Sequence, residues 1–312
     1  MTPLLLAVLA AGPCVYWTQG VDSRATLDAA GVRHVCVPPD QVDAWRKFGF
    51  SASPQTPADL AAREALAVPG ITARAGVASP TRAPWIVANG WRFLRAPAAK
   101  YAATVPAGKG ALAAAEVFAY GADAVLMVEP GDLQSIGAMM SFFESLPPLD
   151  LPAVADLAIV DDGTPVTGEV MNLLARRNLL FEVVRAPSPK HKINITIGTP
   201  EYPREEAADP STFAAKVRSR LTDDARSLRV FGSEVVIGRL TGNGQTARLH
   251  LINYGGRDIE GLRVRVRGAY SGGTAYIAGG GRLPLADRVV ADGATEFSLP
   301  RLGTYAVVDL TR

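Results

Sequence analysis

Short apolar runs alternate with helix-like segments through the first two thirds of the chain, and most of these runs end in a polar or acidic residue. The run at 15–19 leads to Asp22, the run at 124–128 to Glu129, and the run at 157–160 to Asp161 and Asp162. Such runs are typical of strands in a mostly parallel sheet that is buried on both faces. In these sheets the chemistry gathers at the carboxyl ends of the strands, so the run ends form a candidate site.

The α/β pattern extends over residues 13–225, with a sub-boundary near residue 150. The eight strands predicted in this segment would permit a (β/α)8 barrel, but the segment is shorter than is typical of that fold. Two interpretations therefore stay open: a degenerate (β/α) barrel or barrel-like open sheet, and a half barrel followed by a small α/β unit that starts near residue 153. The eight predicted strands are 15–19, 33–37, 71–77, 85–89, 124–129, 156–161, 180–184 and 193–197.

The pattern changes to a period of two after residue 226. Leu262, Val264 and Val266 alternate with three arginines, which is typical of a half-buried antiparallel strand. About seven short strands in fewer than ninety residues predict an antiparallel β-sandwich over 226–312. The alternating arginines, Arg263, Arg265 and Arg267, are interpreted as a solvated face.

Composition narrows the class of partner. The chain has 312 residues, 48% of them hydrophobic, and a formal net charge of +2. This charge is too small to favour nucleic acid or an anionic membrane surface as a partner. Residues 4–11 resemble the apolar core of a secretory signal, so residues 1–12 are predicted to be a signal peptide of a secreted or periplasmic protein, with a cytoplasmic protein as the alternative. No other stretch is apolar and long enough to span a membrane.

The cysteines and histidines give no metal or cofactor motif. Cys14 and Cys36 are expected near opposite ends of neighbouring parallel strands, roughly 10 Å apart at about 3.3 Å per residue. That separation predicts two buried free thiols instead of a disulfide. His250 lies between Leu249 and Leu251 and is predicted to face solvent. No cofactor and no metal are expected.

The candidate catalytic groups are carboxylates. Glu129 and either Asp161 or Asp162 end successive predicted α/β strands, and two facing carboxyl groups are what cleavage of a glycosidic bond requires. The structural alternative is a helix cap at Asp132 and an acidic turn at 161–163. Glu116 is a further candidate, because it lies in a nearly apolar helix where an unpaired carboxylate is costly to bury; an ion pair with Lys109 or Arg92 is its structural alternative.

Aromatic and polar groups near the same strand ends are candidates for ligand contact. Aromatic faces stack on sugar rings, but tryptophans in strands also form cores. Asn89 and Gln19 could hydrogen-bond a polar ligand or satisfy loop backbone. The predicted substrate-binding set is Trp17, Gln19, Asp22, Asn89, Trp91 and Asp132, with Trp85 nearby.

Two segments carry a family resemblance. Residues 248–254 and 297–310 look like the C-terminal β-domain of many glycoside hydrolases, and the order of α/β part and β-sandwich is similar to that of retaining glycosidases built on a (β/α)8 barrel. Residues 157–184 resemble the amidotransferase-like domain of some β-galactosidases. Where those families carry an Asn-Glu pair at a strand end, this chain has Asn89-Gly90 and no Asn-Glu dipeptide.

The resemblance implies a carbohydrate ligand and hydrolysis of a glycosidic bond by a carboxylate pair. A non-catalytic glycan-binding or assembly protein of the same architecture is the main alternative, and an unrelated α/β enzyme is a third. The sugar, the linkage and the formation of a homo-oligomer stay open.

Overall fold

The computed structural model describes residues 12–72 and 85–312. The described chain forms two compact units, one within Met1–Val68 and Pro97–Ser141 and the other within Pro69–Ala96 and Phe142–Arg312. The predicted signal peptide lies almost entirely outside the described residues, as do positions 73–77 of the predicted strand 71–77. The predicted boundary at residue 225 stays a prediction.

Strands and helices alternate through most of residues 13–145, as the hydrophobic pattern predicted, but Glu64–Ala65, Gly70–Thr72 and Trp85–Val87 are strands with no helix described between them. Short 3-10 turns at Val21–Ser23, Pro39–Gln41 and Pro130–Asp132 precede three of the helices. In chain order the elements are β1 (Pro13–Tyr16), α1 (Arg24–Ala30), β2 (His34–Val37), α2 (Val42–Lys47), β3 (Ser51–Pro54), α3 (Pro57–Ala61), β4 (Glu64–Ala65), β5 (Gly70–Thr72), β6 (Trp85–Val87), α4 (Gly90–Arg95), β7 (Lys100–Val105), α5 (Gly110–Tyr120), β8 (Asp123–Val128) and α6 (Leu133–Ser145).

A six-stranded sheet organises the first unit, in the order β3-β2-β1-β8-β7-β4. Every neighbouring pair in it is parallel, which confirms the interpretation of the buried apolar runs. The sheet is open at β3 and β4 within the described residues, so it is barrel-like α/β structure without a closed barrel there. The sequence prediction missed β3, β4 and β7 of this sheet. Lys100–Val105, for example, begins with a lysine and contains two alanines, and neither residue type is typical of a strand.

The cysteine prediction was wrong. Cys14 and Cys36 form a disulfide, with their Cα atoms 5.7 Å apart. Strand β1 begins at Pro13, two residues earlier than predicted, and the parallel register places Tyr16 opposite Cys36. The two cysteines are therefore two residues out of register instead of about three, and their Cα atoms lie within disulfide range.

A smaller parallel sheet, in the order β10-β9-β11, lies in the second unit. Its helices bury Val170, Leu174 and Phe213 in one apolar cluster together with the buried side chains of β9. Thr164 caps α7 ahead of Pro165, as predicted, by accepting a hydrogen bond from the Thr167 amide. The elements are β9 (Leu157–Val160), α7 (Pro165–Arg176), β10 (Phe181–Val184), β11 (Asn194–Ile195), α8 (Arg204–Ala207) and α9 (Pro210–Leu221).

The last ninety residues form two antiparallel sheets, in the orders β12-β15-β19-β18 and β13-β14-β20-β16-β17. Val264 and Phe297 of the first sheet and Leu249 and Val308 of the second belong to one buried cluster. This shared core is consistent with the predicted β-sandwich. The strands are β12 (Leu228–Phe231), β13 (Val236–Gly242), β14 (Thr246–Asn253), β15 (Ile259–Arg267), β16 (Gly272–Ile277), β17 (Gly281–Pro284), β18 (Ala286–Ala291), β19 (Ala294–Leu302) and β20 (Tyr305–Thr311).

Two polar positions of these strands differ from the prediction. His250 is buried instead of solvent-facing, because Tyr305 of the neighbouring strand covers it. The arginine face of β15 is only partly solvated: Arg265 is buried, and Arg263 donates to Glu296 on β19. Strands β14 and β15 lie inside their sheets, and polar residues on both of them are covered by neighbouring side chains. The alternation of polar and apolar residues therefore does not identify which face is open to solvent.

Candidate functional site

Asp161 directly follows β9 and is held by an arginine of α4. The Arg95 Nε donates to Asp161 Oδ2 at 2.9 Å, and the Arg95 Nη2 donates to Oδ1 at 2.7 Å. The Gly163 amide also donates to Oδ1 at 3.0 Å. These hydrogen bonds, the one from Arg95 above all, hold the pKa of Asp161 below its usual range.

Asp162 stabilises the first turn of α7. Its Oδ1 accepts from the Thr164 amide at 3.0 Å and from the hydroxyls of Thr164 and Thr167, both at 2.7 Å. Its Oδ2 accepts from Arg204 at 3.2 Å. Partial burial opposes ionisation, but the hydrogen bonds from Thr167 and Thr164 outweigh it and hold the pKa of Asp162 far below normal.

Both aspartates are therefore ionised acceptors at neutral pH. A general acid for glycosidic cleavage needs a raised pKa, and the surroundings of Asp161 and Asp162 act in the opposite direction. Each of the two carboxylates is paired with an arginine, Asp161 with Arg95 and Asp162 with Arg204.

The helix beside these aspartates leaves no room for a larger side chain at Gly168. A Cβ there would lie 2.9 Å from Nη1 of Arg95 and 2.9 Å from the Trp91 ring. Trp91 is half-buried against α7 and also lies under the guanidinium of Arg92, 4.5 Å from the ring centroid. Gly168 thus allows the close approach that positions Arg95 against Asp161.

A second charged cluster, which was not predicted from the sequence, lies on β10 and the loop that follows it. Glu182 accepts from Lys190 at 3.0 Å, and its other oxygen lies 2.8 Å from Nε2 of the buried His191. Partial burial opposes ionisation, yet these two partners keep the pKa of Glu182 below its usual range. The interleaved polar loop at 185–193 gave no periodic signal that could have linked these residues.

The remaining predicted catalytic residues lie in the first unit. Glu129 is exposed, and it precedes the 3-10 turn that follows β8 in the six-stranded sheet. The strand that carries Asp161 belongs to the second unit and to another sheet, so the catalytic pairing of these acids stays a prediction. Glu116 is 1% exposed within α5.

The predicted substrate-binding residues fall into buried and exposed groups. Asp132 is 4% exposed and accepts from the Gly110 amide at 2.5 Å, so it binds the first turn of α5. Trp17 is buried and donates to Ser23 at 2.8 Å, and Asn89 is buried at the start of α4. Gln19 and Asp22 are exposed. Their contact with a ligand stays a prediction.

Asp156, which directly precedes β9, is a carboxyl group with a raised pKa. Burial raises the pKa of Asp156, although its carboxylate accepts from the Ser227 amide and hydroxyl. These hydrogen bonds attach the segment before β9 to the segment before β12, which gives Asp156 a structural contact instead of an open position for a substrate.

Residues 12–72 and 85–312 contain no group of three or more histidine, cysteine, aspartate or glutamate side chains arranged to hold a metal ion. None of the helices in the same ranges combines the length and apolar character needed to cross a membrane.

The chain is similar to solved glycoside hydrolase structures at low identity. It superposes on α-L-fucosidase isoenzyme 2 from Paenibacillus thiaminolyticus with a TM-score of 0.54 and 9% identity, over 71% of this chain and 62% of that one. The fold is therefore glycoside-hydrolase-like. The likeness to Gan42B, a GH42 β-galactosidase from G. stearothermophilus, is weaker, with a TM-score of 0.41 and 9% identity over 80% of this chain and 53% of that one.

The present chain thus spans less than two thirds of the length of each of these two proteins. Neither a protein-family model nor a curated protein sequence matches it.

Proposed function

We propose that this protein binds a neutral carbohydrate through Asp161, Asp162 and their arginine partners, without using these two aspartates for hydrolysis. The observation that carries the proposal is that both carboxylates are held ionised beside guanidinium groups. Such a carboxylate accepts hydrogen bonds from sugar hydroxyls but has no proton to donate to a glycosidic oxygen.

The likeness to a fucosidase supports the carbohydrate class of ligand, since that enzyme acts on fucosides. Arg204 supports the position of the site, because its side chain is 52% exposed and keeps donors for a ligand after pairing with Asp162. Trp91 is half-buried next to the same helix turn and offers ring surface to the apolar face of a sugar.

Binding to a panel of neutral oligosaccharides, measured by calorimetry, tests this proposal. The variant Asp162→Asn removes the charge, and we expect it to weaken binding at least tenfold. Asp209→Asn is the matched control, because Asp209 is also an aspartate that accepts from a threonine amide and hydroxyl at a helix start. Equal affinity of both variants would overturn the site.

Hydrolysis by Glu129 together with Asp161 or Asp162 is the second candidate function, and the fucosidase-like fold favours it. It predicts turnover of aryl glycosides that Glu129→Gln abolishes and that either Asp161→Asn or Asp162→Asn also abolishes. Turnover that survives all three substitutions would remove these residues from the mechanism.

We also propose that the protein is exported. The Cys14–Cys36 disulfide supports this, because structural disulfides persist mainly in oxidising compartments. Fractionation of the native host, followed by gel analysis with and without reductant, tests it. We expect oxidised protein outside the cytoplasm, and reduced protein confined to the cytoplasm would overturn the proposal.

A further inference from the structure

An arginine-lined cleft lies in the second unit, where the end of α7 meets α9 and β12. Its volume is about 590 Å³, within the range of pockets that bind ligands of drug size. The charged side chains that line it are Arg176, Arg177, Arg218, Arg226, Arg229 and Glu234.

Positive charge in the cleft exceeds its neutralisation by protein carboxylates. Three of the arginines share the single carboxylate of Asp223: Arg218 and Arg229 contact Oδ2 at 3.1 and 3.3 Å, and Arg226 donates to Oδ1 at 3.2 Å. One carboxylate among three guanidinium groups leaves donors and charge for an additional anion. Glu234 is exposed and belongs to the loop that follows β12.

Arg226 is fixed before any ligand arrives. It is 5% exposed, and its Nη2 donates to the carbonyl oxygens of Arg177 at 3.0 Å and of Asn178 at 3.3 Å. Its buried Nε has no hydrogen-bond partner among the described residues. A buried cation with an unused donor is costly, and an anion in the cleft would lower that cost.

Two aromatic rings stack against arginines of the cleft. The guanidinium of Arg176 lies 4.1 Å from the ring centroid of Trp85, and that of Arg229 lies 4.7 Å from the ring centroid of Phe231. Stacking restricts both side chains and leaves flat apolar surface beside charged donors. This combination suits a ligand with ring faces and several negative groups.

We propose that this cleft is a second binding site, specific for an acidic oligosaccharide of two or three sugars that carry carboxylate or sulfate groups. The anionic character follows from the arginines alone, and the saccharide character rests on the proposed function. The cleft is separate from the site at Asp161 and Asp162, because α7 begins at Pro165 beside Asp162 and reaches the cleft only at Arg176. Its 12 residues span about 18 Å at 1.5 Å per residue.

Calorimetric titration of the whole chain with trigalacturonate tests this inference, with neutral galactotriose and the non-sugar tricarballylate as comparison ligands. The test variants are Arg218→Gln and Arg229→Gln, singly and together, because both side chains are more exposed than Arg226. Arg301→Gln is the matched control, since Arg301 also pairs with an aspartate, Asp258, but lies on β19.

We expect trigalacturonate to bind, to lose at least tenfold in affinity in the double variant, and to keep its affinity in the control. The affinity should also fall as the salt concentration rises from about 20 to about 300 mM, because salt screens the attraction between exposed charges. Equal binding of galactotriose at the cleft, equal binding of tricarballylate, or unchanged affinity in the double variant would each overturn the inference.

The same titrations separate this inference from the proposed function. Neutral-sugar binding that depends on Asp162, without trigalacturonate binding, would overturn the acidic site and leave the proposed function standing. Trigalacturonate binding that depends on Arg218 and Arg229, without any neutral-sugar binding, would overturn the proposed function and leave the acidic site standing.

Discussion

His250 and Tyr305 form a buried polar pair on neighbouring strands, with the histidine Nδ1 2.5 Å from the tyrosine hydroxyl oxygen. Their rings stack with centroids 6.1 Å apart. Phe142 and Phe143 pack edge-on against Tyr305 at centroid distances of 5.9 and 5.8 Å. The pair is thus enclosed by aromatic side chains on the face of the sheet that the alternation pattern assigned to solvent.

This enclosure makes stability depend on pH. Burial, assisted by the positive charges of Arg239 and Arg248, lowers the pKa of His250 from 6.5 to about 3. The unfolded chain therefore takes up a proton as pH falls below about 6.5, whereas the folded chain does not until about pH 3, so acidification between these values favours unfolding. We expect His250 to cost about 2 kcal/mol of stability between pH 7 and pH 5.

Urea denaturation of the wild type and of His250→Gln at both pH values measures this effect. The variant should lose less stability than the wild type on going to pH 5. The same loss in both proteins would show that His250 does not carry the pH dependence.

Gly137 of α6 is a second packing constraint. A Cβ at this position would lie 1.8 Å from the carbonyl oxygen of Ala30 at the end of α1, and backbone cannot move aside as a flexible side chain can. Gly137→Ala should therefore lower the free energy of unfolding by about 2–3 kcal/mol despite the better helix propensity of alanine. Gly131→Ala is the control, since nothing lies within 4 Å of its Cβ position, and an equal loss in both would contradict the steric explanation.

The Cys14–Cys36 disulfide closes a short loop, with a sequence separation of 22 residues. Cys14→Ser with Cys36→Ser should destabilise the chain by about 3 kcal/mol, mainly because the unfolded state gains entropy. Thermal unfolding measures the change. Thiol titration of the denatured wild type is the accompanying check: it should find no free thiol, and two reactive thiols would refute the bond.

Asn178 links the end of α7 to β13. It has a φ of +53°, its Nδ2 donates to the Val236 carbonyl at 3.0 Å, and its Oδ1 accepts from the Gly238 amide at 2.7 Å. Asn178→Ala loses both buried hydrogen bonds and places alanine in the left-handed region, so we expect a loss of about 2–4 kcal/mol.

Asn172→Ala on the same helix is the comparison for that substitution. The Oδ1 of Asn172 is buried without a hydrogen-bond partner in the described chain, and alanine favours a helix interior. Denaturant melts should show little change or a gain for Asn172→Ala. A loss similar to that of Asn178→Ala would mean that burial alone, instead of the two hydrogen bonds, determines the cost.

Local pattern accounted for most elements of the α/β region. The runs at 33–37 and 124–129 became strands β2 and β8, because continuous apolar residues suit a sheet that is covered on both faces. Thr164 followed by Pro165 identified the start of α7, since a cap and a fixed proline φ are local properties.

Strand β7 and the arginine cleft were not predictable in the same way. Lys100–Val105 pairs with β4 and β8 in a buried sheet, although it begins with a lysine and contains two alanines and a threonine. The arginines of the cleft come from α7, α9 and the segment around β12, from Arg176 to Arg229 in the sequence, and no local spacing connects them.

By itself, the sequence determined most of the strands and helices, because backbone preferences and hydrophobic periodicity act over a few residues. Only the tertiary structure decided that Cys14 bonds Cys36, that His250 is enclosed, and that Asp161 pairs with Arg95. Register, burial and the pKa of a carboxyl group depend on partners brought from distant parts of the chain, and those partners exist only after folding.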